Sequence, residues 1–85
     1  MNYKITYDLD LEKALRKIPK HDAKLIKEKI ESLASNPRSH GAIKLSSKEL
    51  YRIRCGNYRI IYEIIDARLV ILILDVDDRK DVYKK

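Results

Sequence analysis

Three arginines fall within the eight residues from Arg52 to Arg59, and the stretch Cys55-Gly56-Asn57-Tyr58 lies between the last two, Arg54 and Arg59. A two-residue loop with glycine first is what a type II′ hairpin turn asks for, so Gly56-Asn57 predicts a hairpin here. Counting outward from that loop puts Cys55 opposite Tyr58, Arg54 opposite Arg59, Ile53 opposite Ile60 and Tyr51 opposite Tyr62. One face then carries Tyr51, Ile53, Cys55, Tyr58, Ile60 and Tyr62, and suits a core. The other carries Arg52, Arg54 and Arg59. Like charges directly opposite across a sheet cost a few tenths to about 1 kcal/mol, and a bound anion would reverse that sign. Guanidinium suits phosphate because its planar fork donates paired hydrogen bonds and stays charged at any physiological pH. Spacing leaves two readings open: a phosphate site, or a solvated sheet face screened by Glu63, Asp75, Asp77 and Asp78.

Other chemistries find little support. There is no Gly-rich phosphate loop, no zinc-ligand spacing and no Ser-His-Asp arrangement, which argues against a conventional nucleophilic hydrolase; no metal and no cofactor is expected. Cys55, the single cysteine, reads as a small core residue in a reducing compartment. His21 and His40 lie in polar sequence and read as surface or capping residues. Formal charge is +6, and it is uneven: residues 1–48 hold eleven Lys/Arg against six Asp/Glu, residues 49–85 eight against seven. The balance favours polyanionic partners without choosing among them. The helix lysines Lys13, Lys17, Lys24, Lys27 and Lys29 read as a solubility feature.

The elements that must position the arginines follow from periodicity. Tyr3, Ile5 and Tyr7 alternate with polar residues, predicting a first strand. Asp8, Asp10 and Glu12 then cluster where a helix N-terminus favours negative charge, and Leu11, Ala14, Leu15 and Ile18 recur at helical spacing until Pro19. A second helix is expected to open near His21 or Asp22, capped by the Asp22 carboxylate, with Ala23, Ile26, Ile30, Leu33 and Ala34 on one face, ending at Asn36-Pro37. A polar connection containing Lys44 and Lys48 leads to three strands, ELYRIRC, NYRIIYEII and RLVILILDV, with a turn at Asp66-Ala67. Residues 69–76 are apolar on both faces, which marks the last strand as central. The expected fold is α+β, in the order β-α-α-β-β-β, with a helical hairpin packed on a four-stranded, mainly antiparallel sheet.

Eighty-five residues with 45% apolar and 38% charged side chains suit one folded domain spanning 1–85. The longest apolar run, Leu69 to Leu74, is far short of the roughly 20 residues that span a bilayer, and the N-terminus lacks the apolar stretch of a signal peptide. A cytoplasmic protein without membrane association is expected.

The segment from Leu50 onward closely resembles the C-terminal half of the RelE/ParE superfamily, toxins of toxin–antitoxin modules. The resemblance rests on Tyr51-Arg52-Ile53-Arg54, the small turn, Tyr58-Arg59-Ile60-Ile61-Tyr62-Glu63, an acidic turn residue, a hydrophobic strand, then Arg79 and Val82-Tyr83. It extends more weakly over the whole chain. It implies the same fold and, on the RelE-like branch, a ribosome-dependent endoribonuclease that inhibits translation by cutting mRNA in the ribosomal A site. The step is metal-independent attack of a ribose 2′-hydroxyl, leaving a 2′,3′-cyclic phosphate. Carried over by position, Arg54, Arg59, Arg79 and Tyr83 would be catalytic and Arg52 would bind substrate; Lys44 and Lys48, in the polar connection before the hairpin, are further candidates for substrate binding.

The same resemblance implies a RelB-like antitoxin, disordered until bound, as partner, along with the ribosome and mRNA, and binding of operator DNA by the toxin–antitoxin complex through the antitoxin. Its alternatives are a ParE-like inhibitor of DNA gyrase and an inactive member kept as an antitoxin-bound repressor component. Two departures stand out. Asp77-Asp78 replaces a glycine and a basic or histidine residue of many relatives, putting negative charge close to a phosphate site, and the spacing from Arg79 to Tyr83 is short.

Overall fold

The computed structural model describes residues 2–45 and 48–78. Strand β1 (Lys4–Tyr7) is followed by helices α1 (Leu11–Arg16) and α2 (Lys20–Ser32), then strands β2 (Ile43–Lys44), β3 (Leu50–Cys55), β4 (Tyr58–Ile65) and β5 (Val70–Asp78). The strands form one sheet in the order β1-β5-β4-β3-β2, with β1 parallel to β5 and the other pairings antiparallel. The α+β class and the order of elements match expectation, and β5 is an interior strand between β1 and β4, as its two apolar faces require, although the middle of the five is β4. The fifth strand is the difference. It has only two residues, Ile43 opposite Arg52 and Lys44 opposite Tyr51, too few for any period to register, so its pairing is supplied by the edge of β3.

Asp10 caps α1: its carboxylate accepts the Lys13 N–H at 3.1 Å, satisfying one of the helix's free donors. Helix α2 opens earlier than expected, at Lys20 behind Pro19, and Asp22 does not cap it. Asp22 lies inside the first turn, where a carboxylate suits the positive end of the helix, and accepts the Tyr58 hydroxyl at 2.8 Å. Leu15, Ile26, Ile30 and Leu33 pack on Tyr51, Ile53, Tyr58, Ile60, Tyr62, Ile64, Ile71 and Ile73. The Tyr62 hydroxyl, buried in that core, donates to the Pro37 carbonyl at 2.6 Å, and its ring stacks on Tyr51. Burial pushes the Tyr62 phenol up to about 12. No helix among the described residues is long and apolar enough to cross a membrane.

Two irregularities matter for function. Gly56 has φ +60° at the hairpin turn, the positive angle that a glycine at this position of a type II′ turn supplies without steric cost. In β5 the register against β4 slips by one: Ile61 pairs Asp75 whereas Tyr62 pairs Ile73, leaving Leu74 as the extra residue of a bulge. The bulge reverses the phase of the strand. Val76 therefore faces the helices and packs against the core, while Asp75 and Asp77 share the open face of the sheet.

Candidate functional site

The β3–β4 hairpin has the register expected: Cys55 pairs Tyr58, Arg54 pairs Arg59, Ile53 pairs Ile60, Arg52 pairs Ile61 and Tyr51 pairs Tyr62. Because successive side chains alternate, burial of the tyrosines and isoleucines under the helices sends Arg52, Arg54 and Arg59 to the uncovered face. Arg54 is exposed; Arg52 and Arg59 are half-buried, and the Nε atoms of both are shielded from solvent with no hydrogen-bond partner among the described residues. Leaving a buried donor unmet costs about 1–3 kcal/mol. Among the described residues every ion pair lies elsewhere, so none of the three arginines is neutralised by a carboxylate. The screening by Glu63, Asp75 and Asp77 that a merely solvated face would use is not made by contact. On chemistry alone the face can take a polyanion carrying tetrahedral oxygens, such as phosphate.

Lys44 is not brought to this face. It stands opposite Tyr51, on the helix-side phase of the sheet, and its Nζ is 2.9 Å from Glu49 Oε2. Lys48 lies before β3, at the end of the hairpin far from the Gly56 turn, and the first strand residue, Leu50, is already about 14 Å along the strand from Arg54 at 3.4 Å per residue. Asp78 pairs in register with Tyr58, while Arg79 and Tyr83 lie outside the described residues. Cys55 packs partly buried against the core, and that burial pushes its thiol up. His21 and His40 are exposed.

A second polar cluster escaped sequence reasoning altogether. Arg38 contacts Glu49, donates to Asp66 Oδ2 at 2.8 Å and, through Nε, to the Tyr51 hydroxyl at 3.2 Å. The Tyr3 hydroxyl donates to Asp66 Oδ1 at 2.6 Å. The Arg38 guanidinium, followed by the Tyr3 hydroxyl, holds the Asp66 carboxyl below its ordinary range; Lys44, followed by Arg38, does the same for Glu49. The cluster joins the start of β1, the loop after α2, the start of β3 and the turn before β5. The contacts of Arg38 and Tyr3 that tie it together span 11 to 63 residues of sequence, so no local signal marks them.

Comparison with known proteins agrees with this architecture. A family described as ParE toxin of type II toxin-antitoxin system, parDE, matches residues 5–83. An Escherichia coli protein described as a RelE-like toxin is 29% identical over 98% of this chain and 92% of its own length. The mRNA interferase toxin RelE of Escherichia coli strain K12 is 26% identical over 100% of this chain and 94% of its own. Among solved structures, the archaeal RelE–RelB complex from Pyrococcus horikoshii OT3 contains a chain that superposes with a TM-score of 0.79 at 28% identity, covering 93% of this chain and 97% of that one. With the matched span, the shared fold and the hairpin motif in agreement, this chain belongs to the RelE/ParE superfamily of toxins of type II toxin–antitoxin systems and is RelE-like.

Proposed function

We propose that this toxin is a metal-independent endoribonuclease that cuts mRNA on the ribosome and so inhibits translation. The observation that carries the reading is the row formed by Arg54 and Arg59, two cations held directly opposite each other with no carboxylate contact among the described residues. A phosphodiester placed between them relieves their repulsion. As the ribose 2′-oxygen attacks the adjacent phosphorus, charge builds on the non-bridging oxygens, and preorganised donors aimed at those oxygens stabilise the transition state more than the ground state. Arg54 and Arg59 act as that clamp, Arg52 positions the strand, Arg79 supports the phosphate and the leaving 5′-oxygen, and Tyr83 orients the base. The name of the mRNA interferase relative supports the reaction class.

The RelE–RelB complexes among the similar structures support an antitoxin as partner, and its place in this reading is the basic face. The ribosome supplies the mRNA in position, and operator DNA is bound through the antitoxin. A second reading, inhibition of DNA gyrase on the same scaffold, is favoured by one observation, that the matched family description is that of ParE. Expression of the toxin alone, followed by primer extension on translated and untranslated copies of one transcript, separates the two. Cuts restricted to the translated copy are expected; growth arrest with a DNA-damage response and intact mRNA would establish the gyrase reading instead.

A further inference from the structure

The clamp accounts for charge on the phosphate but leaves the proton of the attacking 2′-hydroxyl without a destination. Guanidinium cannot accept it, because it stays protonated at any physiological pH. Among the described residues, the carboxylate in register with the clamp is set by the β5 bulge. Asp77 pairs in register with Arg59, so Arg54, Arg59 and Asp77 form one row across three strands on the open face. The bulge decides this, since without the extra Leu74 the acidic residues of β5 would take the opposite phase.

Two further observations separate Asp77 from the other acids of this face. Asp75 is occupied: its Oδ1 accepts the Val76 N–H at 2.9 Å. Glu63 lies four residues along β4 from Arg59, about 13 Å at 3.4 Å per residue. Asp77 is exposed and, among the described residues, makes neither a hydrogen bond nor an ion pair, not even with Arg59 beside it. Neighbouring strands are about 4.8 Å apart, so a phosphate held midway between Arg54 and Arg59 lies about one and a half strand spacings, roughly 7 Å, from the Asp77 position, a gap that the ribose 2′-hydroxyl beside the phosphate can bridge. In RNA the 2′-hydroxyl is the group next to the scissile phosphate.

We propose that Asp77 receives the ribose 2′-hydroxyl and acts as the general base of the cleavage, an inference that rests on the endoribonuclease reading above. The 2′-hydroxyl proton passes to an Asp77 carboxylate oxygen as the O2′–P bond forms. The P–O5′ bond breaks, the 5′-oxygen leaves with a proton from solvent water, and Asp77 returns its proton to solvent. A carboxylate is a modest base, and hydrogen bonding to the 2′-hydroxyl also makes the site selective for RNA over DNA.

The test is single-turnover cleavage of ribosome-bound mRNA by the full-length toxin between pH 6 and 8.5. Wild type is expected to vary little with pH over this range, as a reaction with a carboxylate base does. Asp77→Asn is expected to be slower by at least about 10²-fold at pH 7, with a rate that climbs tenfold per pH unit as hydroxide takes over the proton. Asp77→Glu should recover part of the rate, Glu63→Gln should behave as wild type, and all variants should bind ribosomes with wild-type affinity. An Asp77→Asn protein that cleaves as fast as wild type or faster, or that keeps the flat profile, would overturn the assignment and leave Asp77 as a charge that opposes phosphate binding. A wild-type protein that binds ribosomes and cuts nothing overturns the endoribonuclease reading itself, which is a different result.

Discussion

Arg54 and Arg59 face each other across the β3–β4 hairpin on the side of the sheet that the helices leave open. The pairing is unfavourable in isolation by up to about 1 kcal/mol, and Arg52 and Arg59 each bury an Nε–H without a partner. Both costs are removed by an anion. Removing one of the cations therefore has opposite effects on stability and on function.

Arg54→Ala and Arg59→Ala are each expected to lower mRNA cleavage by about 10²–10³-fold, the range for one lost transition-state donor. Thermal stability should stay level or rise, because the repulsion disappears. Toxicity at matched expression and the melting temperature check the two halves. Full toxicity in Arg59→Ala would remove that residue from the clamp.

Tyr62→Phe should cost about 1–3 kcal/mol. The variant keeps the ring that stacks on Tyr51 but leaves the Pro37 carbonyl without the hydroxyl that reaches it at 2.6 Å in the core. Ile26→Ala, which hollows out a fully buried site between α2 and the sheet, should cost more, about 2–5 kcal/mol. Urea unfolding of both variants gives the comparison, and an equal or inverted ranking would contradict the packing described.

Gly56→Ala should destabilise the hairpin by about 1 kcal/mol although a Cβ there meets nothing within 4 Å. The cost lies in φ +60°, which an L side chain rarely adopts, and Gly56→Asn should be milder because asparagine tolerates that region. Since the turn holds Arg54 opposite Arg59, Gly56→Ala should also reduce cleavage more than its stability loss explains. Unchanged cleavage by the folded variant would show that the turn does not set the clamp.

The Arg38 cluster predicts an acid response. Glu49 and Asp66 are held below their ordinary values of 4.5 and 3.8 by their cationic and hydroxyl neighbours. Their contribution to stability is thus complete above about pH 4.5 and is lost as pH falls through the lowered values. Arg38→Gln should flatten the dependence of the melting temperature on pH below 4.5 and leave a smaller change at neutral pH, where exposed pairs contribute little. A variant with the same acid slope as wild type would show that the cluster is not what titrates.

Much was legible in the sequence because the informative signals were local. Gly56-Asn57 fixed a turn, the turn fixed a register, and period-two alternation then placed Arg52, Arg54 and Arg59 on one face. The doubly apolar stretch from Leu69 marked an interior strand for the same reason. Tertiary structure decided what has no local signature. A two-residue strand such as Ile43–Lys44 exists only because the edge of β3 pairs with it, and that pairing turned Lys44 toward Glu49 and away from the arginines. Arg38 meets Asp66 across 28 residues of chain. The bulge at Leu74 depends on how β5 fits β4 over its whole length, and by shifting the phase of one strand it placed Asp77, and not Val76, beside Arg59.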